Sequence, residues 1–286
     1  MDVAINLLVN GLATGTLIFL LASGLTLIFG LMSVLNFAHG GLFAWGAFAG
    51  VWLFGLTDSF FLAIVGAAVI GMLLGFVLER ILIRPVYGDH IQQLLVTLGG
   101  MLVISELLKV FWSPNPIRAG LPDYLQGSIE LGDIILITYR LFVIAVGIAV
   151  YVGLHLLLTR TRLGLIVRAG VIDKEMVQAL GINIKQVFTF VFLLGAGMAA
   201  LGGSLLAPYS GVIFAEMGMQ YAILAFIVVI VGGMGSVQGS MIAALLVGVL
   251  GSFMAYFVPE LSLAVNMLLM LAVLLIKPSG LFGAKG

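Results

Sequence analysis

The chain has 286 residues, of which 63% are apolar and only 8% are charged, with 12 basic and 12 acidic side chains. Soluble domains carry roughly 25% charged residues, so this composition excludes an ordinary soluble fold. The net charge of zero gives no reason to expect nucleic acid or an anionic lipid as a partner.

Apolar runs recur along the sequence, and most of them reach the roughly 20 residues that a helix needs to cross a bilayer. The segments lie at about 7–29, 42–56, 60–83, 91–112, 141–159, 187–208, 221–231, 241–257 and 263–276. Because either of two uncharged interruptions could be re-entrant, we count about eight crossings. The sequence therefore predicts an all-α, polytopic integral membrane protein with broken helices near both ends and a single domain over residues 1–286. No basic segment precedes the first run, so we expect a retained helix rather than a signal peptide.

The first interruption is GLMSVLNFAHGG at residues 30–41. It carries no charge, and its polar side chains are those of Ser33, Asn36 and His39. A solvated loop would usually carry charge, so we predict a helix break within or near the membrane.

Charge sets the expected orientation of the spans. No Lys or Arg occurs before Arg80, so the positive-inside rule places Asp2 and Asp58 outside and the Arg80 turn inside. Continuing along the spans predicts an external N-terminus and a cytoplasmic C-terminus, where Lys277 and Lys285 lie.

The turn after the third span contains Glu79, Arg80 and Arg84, followed by Pro85. Proline disfavours helical backbone at the residue before it, so we expect the helix to break at Arg84. Glu79 with its two arginines is predicted to be an interfacial anchor.

Glu106 and Lys109 lie one turn apart in the fourth span and could neutralise one another. Their place in its last turns favours a snorkelling interfacial anchor over an ion relay. The segment 113–140, with three prolines and an acidic excess, is predicted to be external. Within it, residues 129–139 are rich in β-branched side chains around a Gly-Asp turn, which is typical of a small hairpin.

The loop 160–187 holds five of the twelve basic residues and is therefore predicted to be cytoplasmic. Asp173 is a suitable N-cap, Glu175 favours the helix N-terminus, and Gly181 is a natural C′ residue. Between them, Met176, Val177 and Leu180 are expected to share one face. The sequence predicts a short amphipathic helix on the inner membrane surface. The alternative is a solvated connector with one helical turn.

The second interruption, VGGMGSVQGS at residues 231–240, is also uncharged. Paired interruptions in the two halves of a chain point to a translocation pathway, whereas kinks for tight packing would need no solute. In the packing alternative, Asn36 and His39 are hydrogen-bonded residues at a helix terminus. The candidate pathway residues are Asn36, His39, Gly40, Gly232, Gly233, Gly235 and Ser236.

Several motifs are missing from the sequence. It contains no P-loop motif and no HExxH or GxSxG, and it has no cysteine for a disulfide, a thiolate metal site or a nucleophile. We therefore predict no catalytic site, no cofactor and no metal site. No acidic residue is expected at membrane depth, so energy for transport would have to come from a partner.

Three segments resemble the permease subunits of branched-chain amino-acid ABC transporters, specifically the smaller of their two permeases. They are LTLIFGLMSVLNFAHGGLFAWGAF, then TRLGLIVRAGVIDKEMVQALGINIKQVFTFVFLLGAGMAALGG, and finally VVIVGGMGSVQGSMIAALLVG. The C-terminal IKPSGLFG also fits, so the resemblance covers most of the chain in matching order.

The resemblance implies a bacterial inner (plasma) membrane protein that imports branched-chain amino acids or similar small solutes, such as other amino acids, urea, amides or aromatic acids. It also implies a second, homologous permease, two cytoplasmic ATPases, an extracytoplasmic solute-binding protein and a surrounding lipid bilayer. Residues 173–181 correspond to the helix that docks into the ATPase. The implied coupling residues are Arg168, Asp173, Glu175, Met176, Ala179, Leu180 and Gly181.

Two other functions remain open at this point. A sugar-importing ABC permease shares the architecture but should differ in the NFAHGG and GGMGS segments. A secondary transporter or channel working alone would need no ATPase.

The expected orientation can be tested directly because the chain has no native cysteine. A single cysteine at Gln178 should react with impermeant thiol reagents only from the cytoplasm, and one at Asp123 only from outside. Labelling of both from the same side would contradict the assigned spans.

Overall fold

The computed structural model describes residues 2–131 and 134–283, so Asp133 and Lys285 lie outside the described residues. Helices account for most of the chain. They are α1 (Asp2–Met32), α2 (Ala38–Thr57), α3 (Phe60–Leu78), α4 (His90–Phe111), α5 (Thr138–Arg160), α6 (Arg162–Ile172), α7 (Lys174–Ala179), α8 (Ile184–Ser210), α9 (Met217–Gly232), α10 (Val237–Phe257) and α11 (Ser262–Ile276). The short strands are β1 (Ile117–Arg118), β2 (Ser128–Leu131), β3 (Ile134–Ile137) and β4 (Val212–Ile213).

Seven of the helices are long and apolar enough to cross a membrane, and the apolar helices α9 and α11 are shorter. The protein is therefore an all-α, polytopic membrane protein, as the sequence predicted. These nine helices correspond to the nine apolar segments of the sequence.

Helices α1 and α8 form the centre of the bundle. The apolar stretch of α1 is 89% buried and that of α8 is 78% buried, whereas that of α5 is only 17% buried. Helix α1 contacts α5, α8, α9 and α10, and α8 also contacts α2 and α3. The outer helices leave many apolar side chains exposed, which suits a lipid-facing surface.

Small residues allow the central helices to approach closely, among them the glycines and alanines of α8. A Cβ added at Gly46 of α2 would overlap the backbone of Ala200, and one at Gly203 would overlap the carbonyl of Phe43. Close contact through small residues is a common way for helices to associate in a bilayer. Lipid tails are as apolar as the helix side chains, so burial of apolar surface does not drive this association.

The expected break at Arg84 is wrong. Arg84 has helical dihedral angles (φ −59°, ψ −38°), and its amide donates to the carbonyl of Glu79, five residues back, in a π turn over Glu79–Ile83. This wider turn accommodates Pro85, which lacks an amide hydrogen. The chain leaves the helix only at Tyr87 (ψ 128°) and Gly88 (φ +94°).

The predicted hairpin in the external segment is confirmed. Strands β2 and β3 pair antiparallel, with Ser128 opposite Ile137. A second antiparallel pair joins β1 to β4, with Ile117 opposite Ile213. This pair ties the segment after α4 to the loop after α8, a contact between residues almost 100 positions apart.

Candidate translocation and coupling sites

The first interruption separates α1 from α2, as predicted. Ser33 adopts a left-handed conformation (φ +56°), and its amide still donates to the Phe29 carbonyl at 2.8 Å. Asn36 is fully buried, and neither its side-chain oxygen nor its nitrogen has a partner among the described residues. A buried amide without partners is rare and calls for a water molecule, a ligand or another conformation.

His39 is also buried in the first turn of α2. Its Nε2 lies 3.1 Å from the Leu21 carbonyl, whereas Nδ1 has no partner within the described part of the chain. The packing alternative therefore accounts for one nitrogen of His39 and leaves the Asn36 side chain unexplained.

The second interruption separates α9 from α10 at the predicted place. Gly233 (φ +100°) and Gly235 (φ +87°) both have left-handed backbone, which glycine adopts without strain. The Ser236 hydroxyl accepts a hydrogen bond from the Gly239 amide at 3.1 Å and caps α10. Gly232 and Gly233 are buried, whereas Gly235 is exposed and Ser236 is half-buried.

The tertiary structure brings the two interruptions together. A Cβ on Gly30 would lie 2.9 Å from the Gly235 Cα. Nearby, the hydroxyls of Thr26 and Ser240 hydrogen-bond at 2.5 Å. Gly40 lies elsewhere, against Gly218 and Ala222 of α9, so it is not beside the second interruption.

The C-terminal segment closes the second interruption, a role that sequence reasoning missed. The amides of Leu281 and Phe282 donate to the carbonyls of Val231 and Gly232, at 2.8 and 3.0 Å. Gly280 (φ +77°) lies so close to Gly233 that a Cβ would approach its Cα to 2.6 Å. These bonds satisfy carbonyls at the end of α9 that would otherwise have no helical partner. The Pro-Ser-Gly sequence after the last apolar run signals a turn, but not where the following residues bind.

The coupling segment forms the predicted short helix, α7. The Asp173 carboxylate accepts a hydrogen bond from the Met176 amide at 2.9 Å. Gly181 has left-handed backbone (φ +82°), and the Ile182 amide donates to the Val177 carbonyl at 3.3 Å. Both ends of this short helix are therefore capped.

The three apolar residues of this segment lie within one arc of the helix, as expected, but they differ in burial. Val177 is only 3% exposed, whereas Met176 and Leu180 are 59% and 72% exposed. Steps of 100° per residue place Met176 and Leu180 about 40° apart, with Val177 to one side of both. The neighbouring Ile172 is 87% exposed. The remaining coupling residues are also exposed, namely Arg168, Asp173, Glu175, Ala179 and Gly181.

Glu79 is not the interfacial anchor that the sequence predicted. It is fully buried at the start of the π turn, where it accepts a hydrogen bond from the Tyr87 hydroxyl at 2.5 Å. Burial and the neighbouring Glu79 carboxylate raise the pKa of Tyr87. The tyrosine hydroxyl therefore supplies a local partner for this buried carboxylate.

The predicted pair of Glu106 and Lys109 forms at 2.9 Å. Lys109 also binds Glu216, at the start of α9, at 2.8 Å. This second carboxylate was missed because it is more than 100 positions away in the sequence. Glu106 and Glu216 remain largely exposed, which favours the anchor over a buried ion relay.

Residues 7–274 match a family model described as branched-chain amino acid transport system / permease component. The chain belongs to this family.

Three curated relatives align with nearly the whole chain. The permease BraD of Pseudomonas aeruginosa is 32% identical over 96% of this chain and 94% of that protein. LivH of Escherichia coli K12 is 29% identical over the same shares. LivM of that organism is 29% identical over 94% of this chain but only 69% of its own length. All three are named as permease proteins of high-affinity branched-chain amino acid transport systems.

The contact between Gly280 and Gly233 allows a test of the C-terminal closure. Gly280→Ala should release the segment, because the added Cβ meets the Gly233 backbone and the φ of +77° disfavours it. We expect hydrogen exchange of the peptide containing Leu281 and Phe282 to accelerate about tenfold or more. Gly251→Ala is the matched control, since a Cβ there meets nothing within 4 Å. Unchanged protection in Gly280→Ala would contradict the role of this contact.

Proposed function

We propose that this chain is the smaller permease subunit of an ATP-driven importer in the bacterial inner (plasma) membrane. Its cargo would be branched-chain amino acids or similar small polar solutes. Residues 1–286 would form one permease domain with an external N-terminus, a cytoplasmic C-terminus and a coupling loop over residues 160–187. Family membership and the printed functions of the relatives support this proposal.

The observation that carries the coupling role is the exposed apolar surface formed by Ile172, Met176 and Leu180. These side chains lie in the most basic loop of the chain, which the positive-inside rule assigns to the cytoplasm. Exposed apolar clusters of this kind mark sites of protein association. Since the chain has no P-loop, two cytoplasmic ATPase subunits are the partners that we expect at this surface.

A second permease is expected to complete the pathway. LivH and LivM of one organism share the name of one transport system, and this chain is similar to both. Full-length similarity to LivH and partial coverage of LivM support a LivH-like position for this chain. An extracytoplasmic solute-binding protein would deliver the cargo to the opposite face.

The two interruptions are the parts of the fold that we expect to change between inward-open and outward-open states. Asn36 and His39 hold polar atoms without a partner among the described residues, and Gly233 and Gly235 supply backbone freedom at the second interruption. ATPase closure would push on α7 and shift the spans that meet at these interruptions. Solute would then contact the polar groups of Asn36 and His39, which are buried in this conformation.

The coupling role predicts that charge on the exposed surface uncouples the transporter. Met176→Asp combined with Leu180→Asp should reduce solute-stimulated ATP hydrolysis and uptake at least tenfold, because loss of two interface anchors of more than about 1 kcal/mol each weakens docking. Proteoliposomes containing the permeases, ATPases and binding protein provide both measurements.

Gln186→Asp is the matched control, since it adds charge at an exposed position in the first turn of α8. Wild-type hydrolysis and uptake in the Met176 and Leu180 double variant would refute the docking surface. Loss of activity in the control as well would show only a general effect of charge.

The pathway role predicts that Asn36 becomes accessible in another state. In an otherwise cysteine-free complex, a cysteine at Asn36 should react with a small hydrophilic thiol reagent about tenfold faster in one nucleotide state than in another. A cysteine at Ser236 should react in several states, because this position is already partly exposed. The control is a cysteine at Ser204, which is buried in α8 away from both interruptions and should stay unreactive. An Asn36 cysteine that never reacts would favour tight packing as the reason for the break.

A further inference from the structure

A cavity of about 370 Å³ lies where three parts of the chain meet at the ends of the spans. Its walls come from the end of α1, the turn between α3 and α4, and the segment that includes α7 and the start of α8. All three lie at helix ends, so the cavity is placed at a boundary between membrane and water. Its lining combines apolar residues with polar side chains, which are those of Ser33, Tyr87, His90, Gln93, Lys174, Gln178 and Lys185.

The cavity is locally positive. Lys174 and Lys185 line it, and neither has a carboxylate within salt-bridge distance among the described residues. The Lys174 ammonium lies 5.7 Å above the ring of Phe188, and burial lowers the pKa of this ammonium. Among the acidic groups near these lining residues, Asp89 and Asp173 cap helices α4 and α7, and Glu175 is exposed. Glu79 accepts a hydrogen bond from the hydroxyl of Tyr87. An anion placed here would supply the missing charge partner.

The wall of the cavity also holds a buried hydrogen-bond acceptor without a partner among the described residues. Gln93 is 2% exposed, and its Nε2 donates to the Val86 carbonyl at 3.0 Å. Its Oε1 has no partner within the described residues. A shift of the Gln93 side chain would bring this buried oxygen to a ligand that combines an anionic group for the lysines with a hydroxyl.

An apolar groove of about 600 Å³ adjoins the cavity and shares Ser33, His90 and Gln93 with it. The rest of the groove is lined by Phe29, Leu35, Ile91, Leu94 and Leu95. Ile91 and Leu95 are 74% and 62% exposed, and they lie in the first turns of a predicted membrane span. The groove therefore extends from the polar cavity along the part of the protein that faces acyl chains.

We propose that the cavity and groove together bind one anionic phospholipid with a hydroxyl-bearing headgroup. The phosphate would lie between Lys174 and Lys185, a headgroup hydroxyl would donate to Gln93 Oε1, and an acyl chain would fill the groove. The leaflet follows from the proposed orientation, which makes it the cytoplasmic one. Net charge of zero gave no sign of such a partner, because opposite charges elsewhere in the chain cancel this local cluster.

The site would place lipid against the inner side of α7. Lys174 belongs to the same helix as Met176 and Leu180, which form the exposed surface on the other side. A bound lipid could therefore hold the helix that the ATPase is proposed to engage.

Lipid retention by the complete, delipidated complex tests the proposal, with native mass spectrometry as readout. The complex should retain phosphatidylglycerol in preference to phosphatidylcholine. Lys174→Gln with Lys185→Gln should weaken retention about 30-fold, since each basic residue near an anionic lipid contributes about fivefold. The control, Arg160→Gln with Arg162→Gln, removes two exposed arginines outside the cavity and should change retention less than twofold.

The acyl chain is tested separately. Leu95→Gln in the groove should weaken phosphatidylglycerol retention several-fold, whereas Leu102→Gln, equally exposed on the same helix but outside the groove, should not. Inorganic phosphate should compete only at far higher concentration.

Four results would overturn the proposal. They are equal retention of the two lipids, equal loss in both double variants, phosphate binding as tight as lipid binding, and cross-linking of a Leu95 cysteine to the partner permease. The last would show that the partner occupies the groove. None of these measurements depends on transport, so a failed coupling role would leave them unaffected.

Discussion

Backbone amides and carbonyls inside a bilayer need protein partners, and this requirement governs how the chain can interrupt its helices. At the second interruption, the amides of Leu281 and Phe282 bind the carbonyls at the end of α9, and Ser236 caps α10. At the first, the Asn36 side chain is buried and finds no partner in the part of the chain that the structure describes. The two interruptions therefore differ physically, since protein groups close the second while the first retains unmet polar atoms. That difference makes the first interruption the better place to look for bound water or solute.

Helix α7, the proposed coupling helix, combines buried and exposed apolar side chains in few residues. Capping by Asp173 and the left-handed Gly181 defines both ends of α7, which fixes the relative positions of its side chains. Val177 holds the helix to the bundle, while Met176 and Leu180 remain exposed. A force applied to the exposed side would reach the bundle through a rigid unit rather than through a loose loop.

Local rules explain what could be predicted from the sequence. The spans, both interruptions and the caps of α7 depend on residues close together in the chain, and the structure has all of them. The break expected at Arg84 failed because a π turn accommodates Pro85, an option that residue preferences do not reveal. Glu79 was misplaced for a related reason, since its burial depends on the hydroxyl of Tyr87 beyond that turn.

By itself, the sequence determined the membrane class, the number of apolar helices within one, the interrupted segments and the family, because hydropathy, glycine and proline act over short distances. Only the tertiary structure decided which distant groups meet. It joined Lys109 to Glu216, set Gly30 against Gly235 and placed the C-terminal segment on the end of α9. Such contacts depend on how helices pack, and small residues permit many packings that a pattern of apolar runs cannot distinguish.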